Sequence, residues 1–178
     1  TTKVVDASLV TTLTGTAAAI AAAATLDANG TTTLKADFGA TVDEGAVAAS
    51  DLNTISGRTT ATIDATAATA INGTATQVSD ALADTQINHD ADFTVTLTNN
   101  STATAAELIA INAATNQPVT ATGVTAITGS ISDVNTVLSA EANQDTPGDA
   151  IDLDADFTVT ITDTGSVAAT TLTTLDTD

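Results

Sequence analysis

The tripeptide Ala-Asp-Phe occurs three times, from Ala36, Ala91 and Ala155, and it carries every aromatic residue of the 178-residue chain: Phe38, Phe93 and Phe157. A chain that returns to one phrase at long, similar intervals repeats a supersecondary unit, because each unit alone buries too little and gains its core by stacking on the next. The ADF copies are 55 and 64 residues apart, and a second set of matching glycines, Gly15, Gly73 and Gly129, is 58 and 56 apart. Two kinds of half-repeat therefore alternate. "VVDASLVTTLTGTAAAIAAA" from Val4 aligns without a gap with "TIDATAATAINGTATQVSDA" from Thr62, and "PVTATGVTAITGSISDVNTV" from Pro118 aligns with both.

The first half-repeat starts at the ADF triplet. In "DFTVTLTNN" and "DFTVTITDT" apolar residues alternate with threonines, which predicts a strand with one apolar and one threonine face. A short helix follows, in "SDLNTIS" at Ser50, "AAELIAIN" at Ala105 and "ATTLTTLD" at Ala169, where apolar residues recur three apart. The second half-repeat opens with a β-prone piece, "TATIDA" or "QPVTAT", and reaches an expected turn at "INGT" or "ITGS". Thr16, Thr74 and Ser130 are placed as helix N-caps, ahead of helices such as "QVSDALAD" and "DVNTVLSA" expected to be two turns at most. The linker "EANQDTPGDAIDLD", with Pro147 and Gly148, reads as a surface loop. Phe at the head of each first half-repeat is expected to stack on its neighbouring copy or to cap an alanine-lined core, with Asp37, Asp92 and Asp156 turned outward to bond turn amides.

These patterns predict an α/β repeat fold: an elongated solenoid of short β-strands alternating with short helices, in about three repeats of roughly 55–64 residues. The whole chain, 1–178, reads as one solenoid domain, divided into a second half-repeat at 1–35, full repeats at 36–90 and 91–154, and a first half-repeat at 155–178. Composition agrees. The chain is 43% hydrophobic, but alanine supplies much of this and aromatics only 2%, so a thick spherical core is out of reach. A positive mean hydropathy of +0.23 argues against a disordered chain. The Ala-rich run from Thr16 is too short to span a bilayer and belongs to the repeat.

A net charge of −19, from 22 acids against 3 bases, excludes nucleic acid and anionic membrane surfaces as partners, since binding phosphate takes Lys and Arg. No insertion into a membrane is expected. The absence of cysteine removes disulfides and thiolate metal sites.

The phrases "VTLTNNSTATAAELIAI", "VTITDTGSVAATTLTTLD", "GVTAITGSISDVNTVLS" and "TIDATAATAINGTATQV" resemble the Thr/Ala/Asp-rich tandem repeats of very long secreted or surface proteins of marine bacteria. The resemblance covers essentially the whole chain. It implies an extracellular repeat protein in an adhesin-like, filament or surface-coat setting, and it brings no catalytic residues with it.

No enzyme chemistry is legible. The single histidine, His89, matches Leu34 and Leu153 in the other copies, as a tolerated substitution in a turn does. The most suggestive chemistry is the acidic run "DAIDLDADFTVTITD". Asp152, Asp154 and Asp156 alternate, Asp149 lies upstream, and Asp163 holds the twelfth position, a spacing that presents oxygens to Ca2+. Phe157 replaces the glycine of a helix–loop–helix calcium loop, so the candidate is a looser turn site; its counterpart keeps Asn88, Asp90 and Asp92 but the first copy has Lys35. The bland alternative is a solvated acidic edge that discourages wrong strand pairing.

Threonine rows in "TVTLT" and "TVTIT" offer a water-ordering or ice-binding face, interrupted in the first copy by Gly39 and Ala40. Thr-rich faces also accept O-linked glycans, and Asn29, Asn72 and Asn100 sit in N-glycan sequons. The expectation is a non-enzymatic extracellular structural protein that assembles with itself and meets a cell surface or glycan. A calcium-dependent surface-binding module of a large adhesin is the alternative. The chain opens in a second half-repeat and closes in a first one, so its two ends are expected to be complementary; the equal alternative is that both are cuts in a longer chain.

Overall fold

Thr12 of one strand lies in register with Gly39 of the next, and Ala40 with Ile63, always in parallel. Parallel neighbours cannot be joined by a hairpin; they need a long return connection, and here the return carries helices. The computed structural model describes residues 3–98, 102–142 and 150–175, and over these the chain is an α/β protein of short parallel strands and short helices. It divides into two compact units, Thr1–Asn72 with Asp80–Phe93, and Gly73–Ser79 with Thr94–Asp178.

In the first unit, β1 (Val5–Ala7) pairs with β3 (Thr32–Leu34). A second ladder runs β2 (Thr12–Gly15), β4 (Gly39–Val42), β6 (Ile63–Asp64) and β8 (Ile87–Asn88). A third joins β5 (Gly45–Ala48) to β7 (Ala68–Gly73), with a bulge between Gly45 and Ala46. Register sorts the side chains into files. Leu13, Ala40, Ile63 and Ile87 form an inward file of which the last three are buried, and Thr14, Thr41, Asp64 and Asn88 form the file beside it on the opposite face. The helices of this unit are α1 (Ala17–Ala28) and α2 (Ala49–Ser56), with the last turn of α3 (Ala75–Ala83).

The second unit repeats the scheme. One ladder runs β9 (Thr94–Leu97), β11 (Val119–Ala121) and β13 (Ile151–Leu153); another runs β10 (Ala103–Thr104), β12 (Ala126–Gly129) and β14 (Thr158–Ile161). Val95, Val119 and Ile151 make a buried inward file, and Thr96, Thr120 and Asp152 the outward one. Helices α4 (Ala105–Ala114), α5 (Ile131–Ala142) and α6 (Ala169–Leu175) follow β10, β12 and β14.

The internal sequence match has a backbone cause. The amides of Asp43, Thr98 and Thr162, each just past an ADF strand, donate to the carbonyls of Gly15, Gly73 and Gly129 at 2.9, 2.8 and 2.9 Å. Likewise Val10, Ala68 and Val124 close the same turn onto Ala7, Ala65 and Ala121. Equivalent residues make equivalent bonds.

All three expected N-caps are present. Thr16 accepts from the Ala19 amide at 3.3 Å; Thr74 and Gln77 cap each other's amides at 3.2 and 3.1 Å; Ser130 accepts from the Asp133 amide at 3.1 Å. Two local expectations fail. The phrases "INGT" and "ITGS" are not turns: β7 and β12 run straight through their glycines to the caps at Thr74 and Ser130. The helices behind these caps exceed two turns, with 12 residues in α1 and α5 and 9 in α3, because alanine and leucine favour continued propagation and no glycine or proline lies within them.

Phe38 and Phe93 are fully buried, whereas Phe157 is half-buried, because β14 is the outermost strand of its ladder. The aspartates that bond turn amides are mostly not those of the triplet. Asp154 accepts from the Asp156 amide at 2.9 Å and Asp90 from the Ala91 amide at 2.7 Å, while Asp37 pairs with Lys35 at 3.1 Å. Pro147 and Gly148 lie outside the described residues.

Candidate functional site

The outward files are the most organised polar surface of either unit. Along β9 and the residue on either side of it, exposed Thr94, Thr96 and Thr98 alternate with buried Phe93, Val95 and Leu97. Thr96 is in register with Thr120, and Thr104, Thr128 and Thr160 make a three-strand file across β10, β12 and β14. Strand geometry spaces such hydroxyls by about 4.8 Å between strands and about 6.6 Å along one. Ala40 does not interrupt the threonine face of the first copy: it points inward at 2% exposure, and the outward Thr41 continues the file from Thr14.

Carboxylates interleave with these threonines. Asp64 stands in file with Thr41, and its carboxyl is held below the usual range by the Thr66 hydroxyl at 2.6 Å and the Thr66 amide at 3.2 Å. Asp6, at the matching position of β1, is lowered in the same way by the Ser8 hydroxyl and amide. Asp152 stands in file with Thr120.

The four aspartates of the calcium reading have separate tasks. Asp152 lies on β13, Asp154 bonds the Asp156 amide, and Asp156 itself is exposed. Asp163 accepts from the amide of Ile131 at 2.7 Å, at the first residue of α5, where unpaired amides and the helix dipole favour a negative charge. Asp149 lies outside the described residues. Among the described residues, no group of three or more His, Cys, Asp and Glu side chains converges on a metal position.

His89 is a packing residue as well as a turn residue. Its ring meets Phe93 edge-on, with centroids 5.3 Å apart and planes at 83°, and its Nδ1 lies 2.9 Å from the Asp90 carbonyl oxygen. Of the three bases, Lys35 pairs with Asp37 and Arg58 with Asp27. The Leu34 amide and then Arg58 hold Asp27 below the ordinary carboxylate range.

Sequence reasoning missed a capping box. Thr104 accepts from the Glu107 amide at 3.1 Å, and Glu107 accepts from the Thr104 amide at 2.8 Å. Its signature, threonine followed three residues later by glutamate, was present in "TAAE".

No family model, curated protein or solved structure matches this chain. No helix among the described residues is long and apolar enough to cross a membrane.

Proposed function

We propose that this chain is a non-enzymatic structural repeat segment of an extracellular filament, surface coat or adhesin stalk, with its ladders wound as successive turns of one elongated solenoid. The observation that carries this reading is the recurrent bond from Asp43, Thr98 and Thr162 to Gly15, Gly73 and Gly129: what the sequence repeats is a device for holding one strand against the next. Apolar inward files supply cohesion, and threonine and aspartate files supply a solvated anionic exterior. Such a chain extends by adding turns, and its work is mechanical.

Electron microscopy of the source cells with an antibody against the chain tests the role. Labelling along a surface structure is expected; label confined to the cytoplasm sinks the reading. Small-angle scattering tests the winding: the radius of gyration should exceed the about 16 Å of a compact globule of this length.

A second reading rests on the registered pairs Thr128 with Thr160 and Thr96 with Thr120, which suit a water-ordering face. Thermal hysteresis at micromolar protein is its test, and freezing at the ordinary equilibrium point rejects it.

A further inference from the structure

Two of the three N-glycan sequons are the same tripeptide, Asn-Gly-Thr, at Asn29 and at Asn72, so nothing within the triplets tells them apart. The third, at Asn100, lies outside the described residues. The folded settings of the first two are opposite.

Asn72 is held in the ladder. It lies half-buried on β7, in register with Ala48 of β5. The Gly73 carbonyl accepts from the Thr98 amide at 2.8 Å. The Thr74 hydroxyl that completes the triplet accepts from the Gln77 amide at 3.2 Å, and the Thr74 amide donates to the Gln77 Oε1 at 3.1 Å. Every residue of this triplet is thus engaged by a strand or a cap, and an enzyme that grasps it has to open one of them first.

Asn29 is presented instead. It is the C-cap of α1, and the chain turns there because Gly30 takes the left-handed conformation, φ +70°, that glycine adopts at little cost. Bonds of 3.0 Å from the Asn29, Gly30 and Thr31 amides to the Thr25, Asp27 and Leu26 carbonyls close the turn on its own helix, with no strand involved. Asp27 anchors the far side by accepting from the Leu34 amide at 2.8 Å. Asn29 and Gly30 are exposed, a Cβ placed at Gly30 meets nothing within 4 Å, and the Asn29 carboxamide has no partner among the described residues. The Thr31 hydroxyl donates to the Leu26 carbonyl at 3.0 Å, which leaves its oxygen able to accept. The exposure belongs to the helix end. Gly57 follows α2 in the same way and is exposed too, although α2 packs on α1 and its Ser56 donates to Asp84.

We propose that Asn29 is an N-glycosylation site of the folded chain and that Asn72 is not. This rests on the extracellular reading above, since N-linked sugars mark surface turns of secreted chains. In the transfer the Asn29 Nδ2 bonds to the anomeric carbon of a glycosyl pyrophosphate. The bond from that carbon to the pyrophosphate oxygen breaks with its electron pair, and one Nδ2 proton leaves to a base of the transferase. Attachment there breaks none of the bonds that close the turn.

The test is peptide fragmentation by mass spectrometry on the chain isolated from its source cells, read as a whole sugar increment and not as the small mass change of asparagine hydrolysis. The increment is expected on Asn29, with Asn72 bare. A bare Asn29, or equal occupancy of both asparagines, overturns the proposal. Made in the same cells, Thr31→Ala should lose the increment although Asn29 is intact, Thr31→Ser should keep it, and Asn72→Gln should leave it unchanged. Sugar that persists on Thr31→Ala overturns the assignment, because the triplet is then not what is read. A chain that labels the cell surface with Asn29 bare overturns the glycosylation alone, whereas a cytoplasmic chain with Asn29 bare overturns both readings.

Discussion

The hydroxyl of Thr76, in the first turn of α3, donates to the carboxylate of Glu107 on α4 across 2.7 Å, although the two are 31 positions apart in the chain. Glu107 also holds the amide and hydroxyl of Thr104, at 2.8 and 2.9 Å. Asp163 does the same kind of work 32 positions from Ile131. In both cases an acid from a later segment is held at the first turn of an earlier helix, where the helix dipole attracts negative charge, but only Asp163 accepts from a backbone amide there. The acidic composition thus has a fold-level use besides solubility.

Glu107→Ala should cost about 1 kcal/mol, the typical loss of a helix cap. Partial burial pulls the Glu107 pKa up, but the Thr104 amide and the Thr76 and Thr104 hydroxyls together bring it below the ordinary glutamate value. A folded pKa below the unfolded one gives stability that is complete above about 4.3 and is lost as pH falls through the lowered folded value. Urea titrations between pH 7 and pH 3 should therefore show a gap between parent and variant that narrows in acid. A gap of constant size rules out a role for the carboxylate charge.

Phe93→Ala should destabilise by about 3–5 kcal/mol, since the ring is 1% exposed and its removal leaves a buried cavity. Phe157→Ala should cost clearly less, because Phe157 is half-buried at an outermost strand. His89→Leu forfeits the edge-on ring geometry with Phe93, worth about 0.5–1.5 kcal/mol, and the exposed contact of Nδ1 with the Asp90 carbonyl oxygen, and should cost less than Phe93→Ala. Equal costs for the two phenylalanines, measured by denaturant unfolding, contradict this account of the triplet.

What was legible in the sequence was local or periodic. The alternation in "DFTVTLTNN" places Thr94, Thr96 and Thr98 on one face because strand side chains have a period of two. The caps at Thr16, Thr74 and Ser130 were legible because a cap bonds within three residues. Strands β5 and β10 were not, since "GAVA" and "AT" are too short to show a period and form only against β7 and β12. The bond that Asp163 makes was hidden for a related reason. Its spacing from Asp152 suits a cation, and only the fold brings the Ile131 amide to it.

The bond from Ile131 to Asp163 has a thermal consequence. Among the described residues no three acidic side chains converge on one position, and Asp154 and Asp163 already accept from the Asp156 and Ile131 amides. Millimolar calcium and an ionic-strength-matched sodium salt should then raise the melting temperature equally, through screening of the −19 charge. A larger rise with calcium shows preferential binding to the native state and restores the site.

Gly129 offers the most local test of strand-to-helix packing. A Cβ added there meets the Cβ of Ala105 at 2.8 Å and the Val134 Cγ2 at 3.6 Å, and both neighbours are fully buried. Backbone at this point is fixed by the Thr162 amide bonding to the Gly129 carbonyl, so β12 cannot retreat freely. Gly129→Ala should therefore cost about 1–3 kcal/mol by overpacking. Gly39→Ala is the control. The nearest contact there is the Thr12 Oγ1 at 3.6 Å, an ordinary separation, and the backbone needs no left-handed conformation. Its effect should be within about 1 kcal/mol, and a slight gain fits the lower entropy of the unfolded chain. The cause can be isolated with Ala105→Gly, which removes the colliding atom: in the double variant the Gly129→Ala penalty should shrink, giving a favourable coupling between the two sites. Strict additivity in that cycle, read from denaturant midpoints, places the strain elsewhere than between β12 and α4.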